Sequence, residues 1–314
     1  MMRKINKSQN KIAVICPYFG NLPSNYKFTF ASMAANAFID WYIVTDDVFD
    51  DSRYSNVTCI KLNFEEIKSR IKNILGYRIN RVYKLCDYKP LYGMIFKDIF
   101  MGYEYWGYSD LDIIYGDLRK CLSKDNLMHY DKILELGHLS VYRNNPLINM
   151  ICTTIENNGY SLKSILDSDD IYVLDESYGK NHLSVNELLE QAGYSVLRKV
   201  EGCSDIVSRY RNLYVVDTER QIFTYLKYEN GKLFIRNWKN KTNQEIIYAH
   251  FQKRRFERTA FSNTNEFAIT PKGFFDEKDI QKNCFYPRIR DLRFCWYIKF
   301  RFKRWFDNTK LQWH

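Results

Sequence analysis

Apolar residues enter this chain in short bursts whose spacing changes along its length. Lys11-Ile-Ala-Val-Ile-Cys16 is a compact run that stops at Pro17-Tyr-Phe-Gly20, the pattern of a buried strand and its loop. The spacing predicts a helix over Tyr26 to Asn36. Asp40-Trp-Tyr-Ile-Val-Thr45 reads as a second strand running into Asp46-Asp47, and Val57-Thr-Cys-Ile-Lys-Leu62 as a third. Then the period shifts. Phe64, Ile67, Ile71, Ile74 and Leu75 keep helical intervals, with Asn63 placed to cap the helix and Gly76 to end it. A helix over Leu91 to Met101, ended by Gly102, and strands at Tyr105–Ser109 and Lys132–Leu136 follow.

Strands alternating with helices over the first 140 or so residues imply an α/β fold with a mostly parallel sheet. Ligands gather at the carboxyl ends of such strands. Pro17–Gly20, Asp46-Asp47 and Asp110/Asp112 all fall there. Asp110 and Asp112 sit in Glu104-Tyr-Trp-Gly-Tyr-Ser-Asp-Leu-Asp-Ile-Ile-Tyr-Gly116. In extended chain, residues two apart point to one side, so their carboxylates can hold a hard divalent cation, and that cation a diphosphate. A nucleotide-sugar glycosyltransferase needs this arrangement. With 22 Asp in the chain, chance alone supplies about 1.5 Asp-x-Asp triplets. The other one, Asp167/Asp169, lies in a polar turn. No Gly-x-Gly-x-x-Gly follows the first strand and no Gly-Lys-Ser/Thr loop is present, against a dinucleotide fold or a P-loop ATPase.

The second half is less regular. Ile171–Leu174 reads as a strand delivering Asp175-Glu176 to a loop, and Val185–Ala192 as a helix stopped by Gly193. Gln221–Tyr228 and Lys232–Trp238, joined through Asn230-Gly231, predict a β-hairpin. Glu245–His250 reads as another strand.

Composition bounds the picture. The 314 residues are 17% aromatic, with only 13 Gly and 6 Pro, which favours a packed core over long linkers. Eight cysteines are scattered without a Cys-x-x-Cys pair, as expected of reduced, buried thiols. The net charge of +10 is uneven: residues 285–314 carry +6 and the rest only +4. The expected division is a domain over 1–256 and a basic aromatic extension over 257–314. In that extension Phe294, Ile298, Phe302 and Phe306 make an i, i+4 stripe among Lys and Arg, a helical tail suited to packing on the domain or lying on an anionic membrane surface. No nucleic-acid module is recognisable. No run is long enough to span a bilayer, and the basic N-terminus precedes too short an apolar run for a signal peptide. The expected location is cytoplasmic, either free or peripheral at the inner face of the plasma membrane.

The ordered blocks Ile15–Gly20, Val44–Asp47, Tyr83-Lys-Leu-Cys-Asp-Tyr-Lys-Pro90, Trp106–Asp117, Gly137-His138 with Arg143-Asn144, and His250-Phe-Gln-Lys-Arg254 resemble bacterial glycosyltransferase-like proteins of polysaccharide gene clusters. Such proteins are of the GT-A type, with a nucleotide-sugar donor and an Asp-x-Asp metal motif. The resemblance spans about residues 11–256. It implies a GT-A-like fold with a C-terminal β-hairpin, and a hexosyl or related transfer from a nucleotide-diphospho-sugar, a UDP-sugar foremost, to a surface polysaccharide or lipid-linked glycan. Pro17, Tyr18 and Phe19 would line the nucleotide pocket, with Asp46 or Asp47 near base or ribose. Asp110, Asp112 and His250 would hold Mn²⁺ or Mg²⁺. Lys253 and Arg254 would neutralise phosphate, Lys84, Asp87 and Lys89 would contact the donor, and His138 and Arg143 the substrate. An inverting enzyme needs a carboxylate base, for which Asp175 and Glu176 are the candidates. Two alternatives stay open: a nucleotidyltransferase acting on a sugar phosphate, disfavoured by the missing Gly-rich loop, and a non-catalytic membrane-associated scaffold.

Overall fold

The computed structural model describes residues 11–47, 49, 53–154, 156–157, 160–176, 184–216, 218–252, 254–257 and 261–293. The chain divides into two compact units. The first comprises residues 1–111 and 118–201, and the second residues 112–117 and 202–314.

The first unit is built on a seven-stranded sheet. Strand β1 (Ile12–Pro17) runs parallel to β2 (Ile39–Thr45), which pairs in parallel with β3 (Val57–Lys61). On its other side β1 is parallel to β4 (Tyr105–Ser109). Strand β5 (Ile113–Tyr115) belongs to the second unit. Strands β6 (Lys132–Ile133) and β7 (Leu139–Arg143) complete the sheet, β7 antiparallel to both β4 and β6, and Val196–Leu197 adds a parallel edge. The sheet is thus mostly parallel. All of β2 and all of β1 but Pro17 are buried, which is why both read as unbroken apolar runs. Because β1, β2 and β4 run the same way, their carboxyl ends share one edge.

The helices flanking this sheet follow their local signals. Helix α1 covers Tyr26–Ala35 and α2 Phe64–Leu75. In α2 the Asn63 side chain accepts from Glu66 N at 3.0 Å while Glu66 Oε2 accepts from Asn63 N at 2.7 Å. This reciprocal cap satisfies two donors that the helix start leaves open. At the other end Gly76, at φ 77°, donates to Lys72 O. Ile67 and Ile71 turn into the core, whereas Ile74 remains 43% exposed. The aromatic content goes largely to packing: the Trp106 ring stacks on Tyr142 with centroids 4.5 Å apart, and its Nε1 donates to Asn149 Oδ1 at 2.6 Å.

Four expected elements differ. The helix expected over 91–101 is broken at Phe96 into Tyr92–Ile95 and Lys97–Phe100 after a 3₁₀ turn at Lys89–Leu91. The strand expected over 132–136 stops at Ile133, because Leu134 adopts φ 69°. Residues 171–174 form no strand: Tyr172 N and Val173 N both donate to the Asp87 carboxylate, and Val173 takes φ 55°. The expected strand 245–250 splits at Ile247, with Asn243–Ile246 and Tyr248–His250 joining different sheets.

The second unit contains those two sheets. One has five antiparallel strands, formed by the expected hairpin (Thr224–Glu229 with Lys232–Asn237) plus Asn243–Ile246, Glu266–Thr270 and Gly273–Phe275. Chain on both sides of residue 256 therefore shares one sheet. The other has three strands, Cys203–Asp205 parallel to Tyr248–His250, which is antiparallel to β5. Among the described residues no helix is long and apolar enough to cross a membrane. The tail expected to be helical lies outside the described residues from 294 onward.

Candidate functional site

At the carboxyl edge of the first unit's sheet, Lys89 organises a charged cluster. Its ammonium donates to Asp110 Oδ1 at 2.8 Å and to Gly137 O at 2.7 Å. Burial alone would lower its pKa, but Asp110 and Asp175 outweigh that and hold it above the usual lysine value. Asp110 is fixed from behind, its N–H donating to His138 O. His138 is itself buried. Gly137 matters through its missing side chain. A Cβ there would lie 2.2 Å from Asp175 Oδ2 and 2.9 Å from Glu176 Oε1. Only glycine lets both carboxylates close on this loop, where Glu176 Oε1 also takes the Gly137 N–H at 2.5 Å.

Asp175 is 3% exposed. Burial, reinforced by Glu176 and opposed by Lys89, raises its pKa to about 7. On β6 of the same sheet Lys132 is buried too, donating to Ser140 Oγ at 3.2 Å, and burial lowers its pKa to about 7. A carboxyl whose folded pKa lies above its unfolded value favours the fold at low pH. Its contribution is lost as pH rises from about 4 through 7. Asp175→Asn should therefore melt higher than the wild type at pH 8 and differ little at pH 4. The expected gain is about 2–4 °C for each kcal/mol relieved, read from thermal melts of the two proteins across that range.

Other residues expected at the site hold the scaffold instead. Asp46 Oδ1 accepts from Gly20 N at 2.8 Å and Asp47 Oδ2 from Leu22 N at 3.0 Å, so the acidic pair braces the loop after β1. In that loop Pro17 ends β1, Tyr18 N donates to Val44 O, and Phe19 packs its ring against Phe64. Lys84 and Asp87 are turned inward. The ammonium meets Asp87 Oδ2 at 2.8 Å and the carbonyls of Ile165 and Asp170 at 2.7 and 2.6 Å, leaving no donor for a ligand. Arg143 braces the loop before it through Asp131, at 3.0 Å, and the Leu127 carbonyl. Lys84, Asp87 and Arg143, expected on donor and substrate, thus carry scaffold contacts. The burial of Lys84 and Asp87 had no signal in the sequence.

In the second unit, strand register builds a separate constellation. Asp205 pairs with His250 across the parallel strands, and His250 with Ile113 of β5. Asp112 directly precedes β5, and its carbonyl takes the Phe251 N–H. The His250 ring is thus held between two carboxylates, Nδ1 2.6 Å from Asp205 Oδ1 and Nε2 3.4 Å from Asp112 Oδ1. Burial would lower the imidazole pKa, but hydrogen bonds to Asp112 and Asp205 raise it to about 10. This donor set fits a divalent cation. Asp205 fixes the proton on Nδ1 and aims Nε2 outward, as carboxylates behind metal-bound histidines do. Adjacent ligand atoms on an octahedral ion at ~2.1 Å lie about 3 Å apart, close to the Asp112–His250 separation. Asp205 was missed in the sequence, since nothing local marks which strand it pairs with. Arg254, expected on phosphate, is buried, and its guanidinium donates to the carbonyls of Val207, Tyr210 and Arg211. Lys253 lies outside the described residues.

Comparison with solved structures finds the galactosyltransferase LgtC in complex with donor and acceptor sugar analogs. The likeness covers 62% of this chain and 75% of LgtC, at 8% identity and a TM-score of 0.36. An active-site mutant of LgtC is matched over 77% of this chain and 88% of that one, at 8% identity and a TM-score of 0.38. The apo glycosyltransferase GlyE of Streptococcus pneumoniae is matched over 60% of this chain and 45% of its own, at 12% identity and a TM-score of 0.34. Scores this low assign neither fold nor activity. No curated protein matches. A family profile does match, across residues 14–278 and hence across the sheet of the first unit, the Asp112–His250–Asp205 constellation and the five-stranded sheet. The chain belongs to that family, the family of unknown function DUF6625.

Proposed function

We propose that this protein is a divalent-metal-dependent glycosyltransferase, moving a sugar from a nucleotide-diphospho-sugar to a glycan or lipid-linked glycan acceptor. The observation that carries the reading is the Asp205–His250–Asp112 relay, which presents an oriented imidazole and a carboxylate at cis-ligand spacing. Asp110 is assigned as a further ligand. It stands two residues before Asp112 in the chain. A bound Mn²⁺ or Mg²⁺ would neutralise the diphosphate as negative charge grows on it during cleavage of the anomeric C–O bond. Lys89, held charged beside Asp110, keeps a fixed positive charge at that carboxylate.

Asp175 is the group suited to accept the acceptor's proton, since a base works best with a pKa near the working pH. On this reading Asp175→Asn is more stable at pH 8 and yet slower in transfer, a pairing that a purely structural acid would not give.

The reading is tested by calorimetric titration of the intact chain with UDP, GDP and CDP, each with Mn²⁺ and with EDTA. One nucleotide, a uridine nucleotide foremost, is expected to bind, and only with metal. A folded protein that binds none of the three with Mn²⁺ present would sink the proposal and favour the scaffold alternative.

A further inference from the structure

Two segments of the second unit, 207–214 and 286–293, lie side by side. Arg293 N donates to Arg209 O at 2.9 Å and Arg211 N to Asp291 O at 2.6 Å, with Tyr210 and Leu292 bridged antiparallel. Together they carry Arg209, Arg211, Arg288, Arg290 and Arg293 against a single acid, Asp291. That acid does not offset them at the surface. It is 5% exposed and accepts from Asn212 N and the Tyr214 hydroxyl, at 2.8 and 2.5 Å. Arg209, Arg211, Arg288 and Arg290 are all exposed. Beneath them Arg254 ties the loop down through its carbonyls. Burial and Arg293 lower its pKa only to about 10, so it stays charged at neutral pH. The neighbouring counter-charge is Glu257, which already accepts from the Tyr286 hydroxyl and Lys272.

An apolar feature completes the face. Ile289 is 92% exposed on a 3₁₀ turn between Arg288 and Arg290, just after Pro287, and Leu292 is 40% exposed. An aliphatic side chain ringed by cations is poorly placed in water. It is well placed where phosphates lie above hydrocarbon, since arginines pair with headgroups while the side chain enters the acyl boundary. Nucleic acid or an acidic glycan would satisfy the arginines and offer Ile289 nothing. In sequence the face continues into Phe294–Phe306, where aromatic residues interleave with Lys and Arg and no acid occurs. We infer that this arginine face docks the protein on an anionic lipid bilayer, with headgroup phosphates on Arg209, Arg211, Arg288 and Arg290 and Ile289 inserted among them. The inference does not depend on the reaction proposed above.

Flotation of the full chain with vesicles tests it. The wild type should float with equal parts phosphatidylglycerol and phosphatidylcholine, and stay behind with phosphatidylcholine alone. Each surface arginine is worth about fivefold in partitioning, so Arg209→Gln/Arg211→Gln should bind roughly 25-fold more weakly. Ile289→Ser should lose the binding that survives high salt. All three side chains are exposed, so unchanged thermal melts are expected. Variants that float as the wild type does would overturn the inference, because the tail alone would then carry attachment. So would a wild type that ignores the vesicles, or one that binds heparin with the same arginine dependence instead.

Discussion

Asp112→Ala is expected to abolish metal-dependent nucleotide binding and to slow sugar transfer by about 10²–10³-fold or more, the scale of losing one preorganised electrostatic contact to the transition state. His250→Ala should do the same. Asp205→Asn should fall less, by about 10–100-fold, because it only orients the ring that Asp112 and an ion would share. The separation between these variants is the informative part. Raising Mn²⁺ should restore transfer in Asp205→Asn, whose defect is affinity, and leave Asp112→Ala inactive. A proton adds a second signature. In the metal-free chain the two carboxylates hold the His250 pKa up to about 10, so the ring is protonated at neutral pH. An ion must displace that proton, so metal affinity should climb about tenfold per pH unit through neutrality. Asp205→Asn, which still binds the ion, removes one of the carboxylates that hold the proton and should flatten that slope. Nucleotide binding that survives both EDTA and the Asp112 substitution would remove the metal from the mechanism.

Much of the first unit was legible because its signals are local. Helix α2 carried its own start in Asn63 and its own stop in Gly76, and β1 and β2 were buried on both faces and so spelled as apolar runs. What failed depended on distant partners. Residues 171–174 look strand-like, but their N–H groups answer a carboxylate about 85 residues earlier. Glu245–His250 has one period yet serves two sheets, since periodicity does not register a change of partner at Ile247. The candidate site divided in the same way. Asp110, Asp112 and His250 could be picked out by type and position relative to strand ends. Asp205 could not, because its role comes entirely from register with His250. Lys84 and Asp87 looked like ligand contacts because charge in a sequence suggests solvent, and nothing in the sequence shows that both are buried.

That burial sets the largest expected stability effect. Lys84 and Asp87 are 2% and 0% exposed, and each is saturated by the other and by the backbone of 165–173. Asp87→Ala strands an ammonium beside two carbonyls and leaves Tyr172 N and Val173 N without their acceptor. Breaking a buried pair from one side costs about 3–5 kcal/mol, and each orphaned donor adds about 1–3 kcal/mol. Against a total stability of about 5–15 kcal/mol, the variant is expected to be largely unfolded or insoluble at 37 °C. Lys84→Met/Asp87→Ala should be more stable than Asp87→Ala alone, because the stranded charge is gone while the orphaned donors remain. Urea unfolding of the four proteins in this cycle measures the coupling, expected at about 1–3 kcal/mol. The donor-contact role read from sequence makes the opposite forecast: Asp87→Ala would keep the wild-type unfolding midpoint and lose nucleotide binding. A midpoint that collapses, with binding per folded molecule unchanged, assigns the pair to the scaffold that holds Asp175 and Glu176 against Gly137.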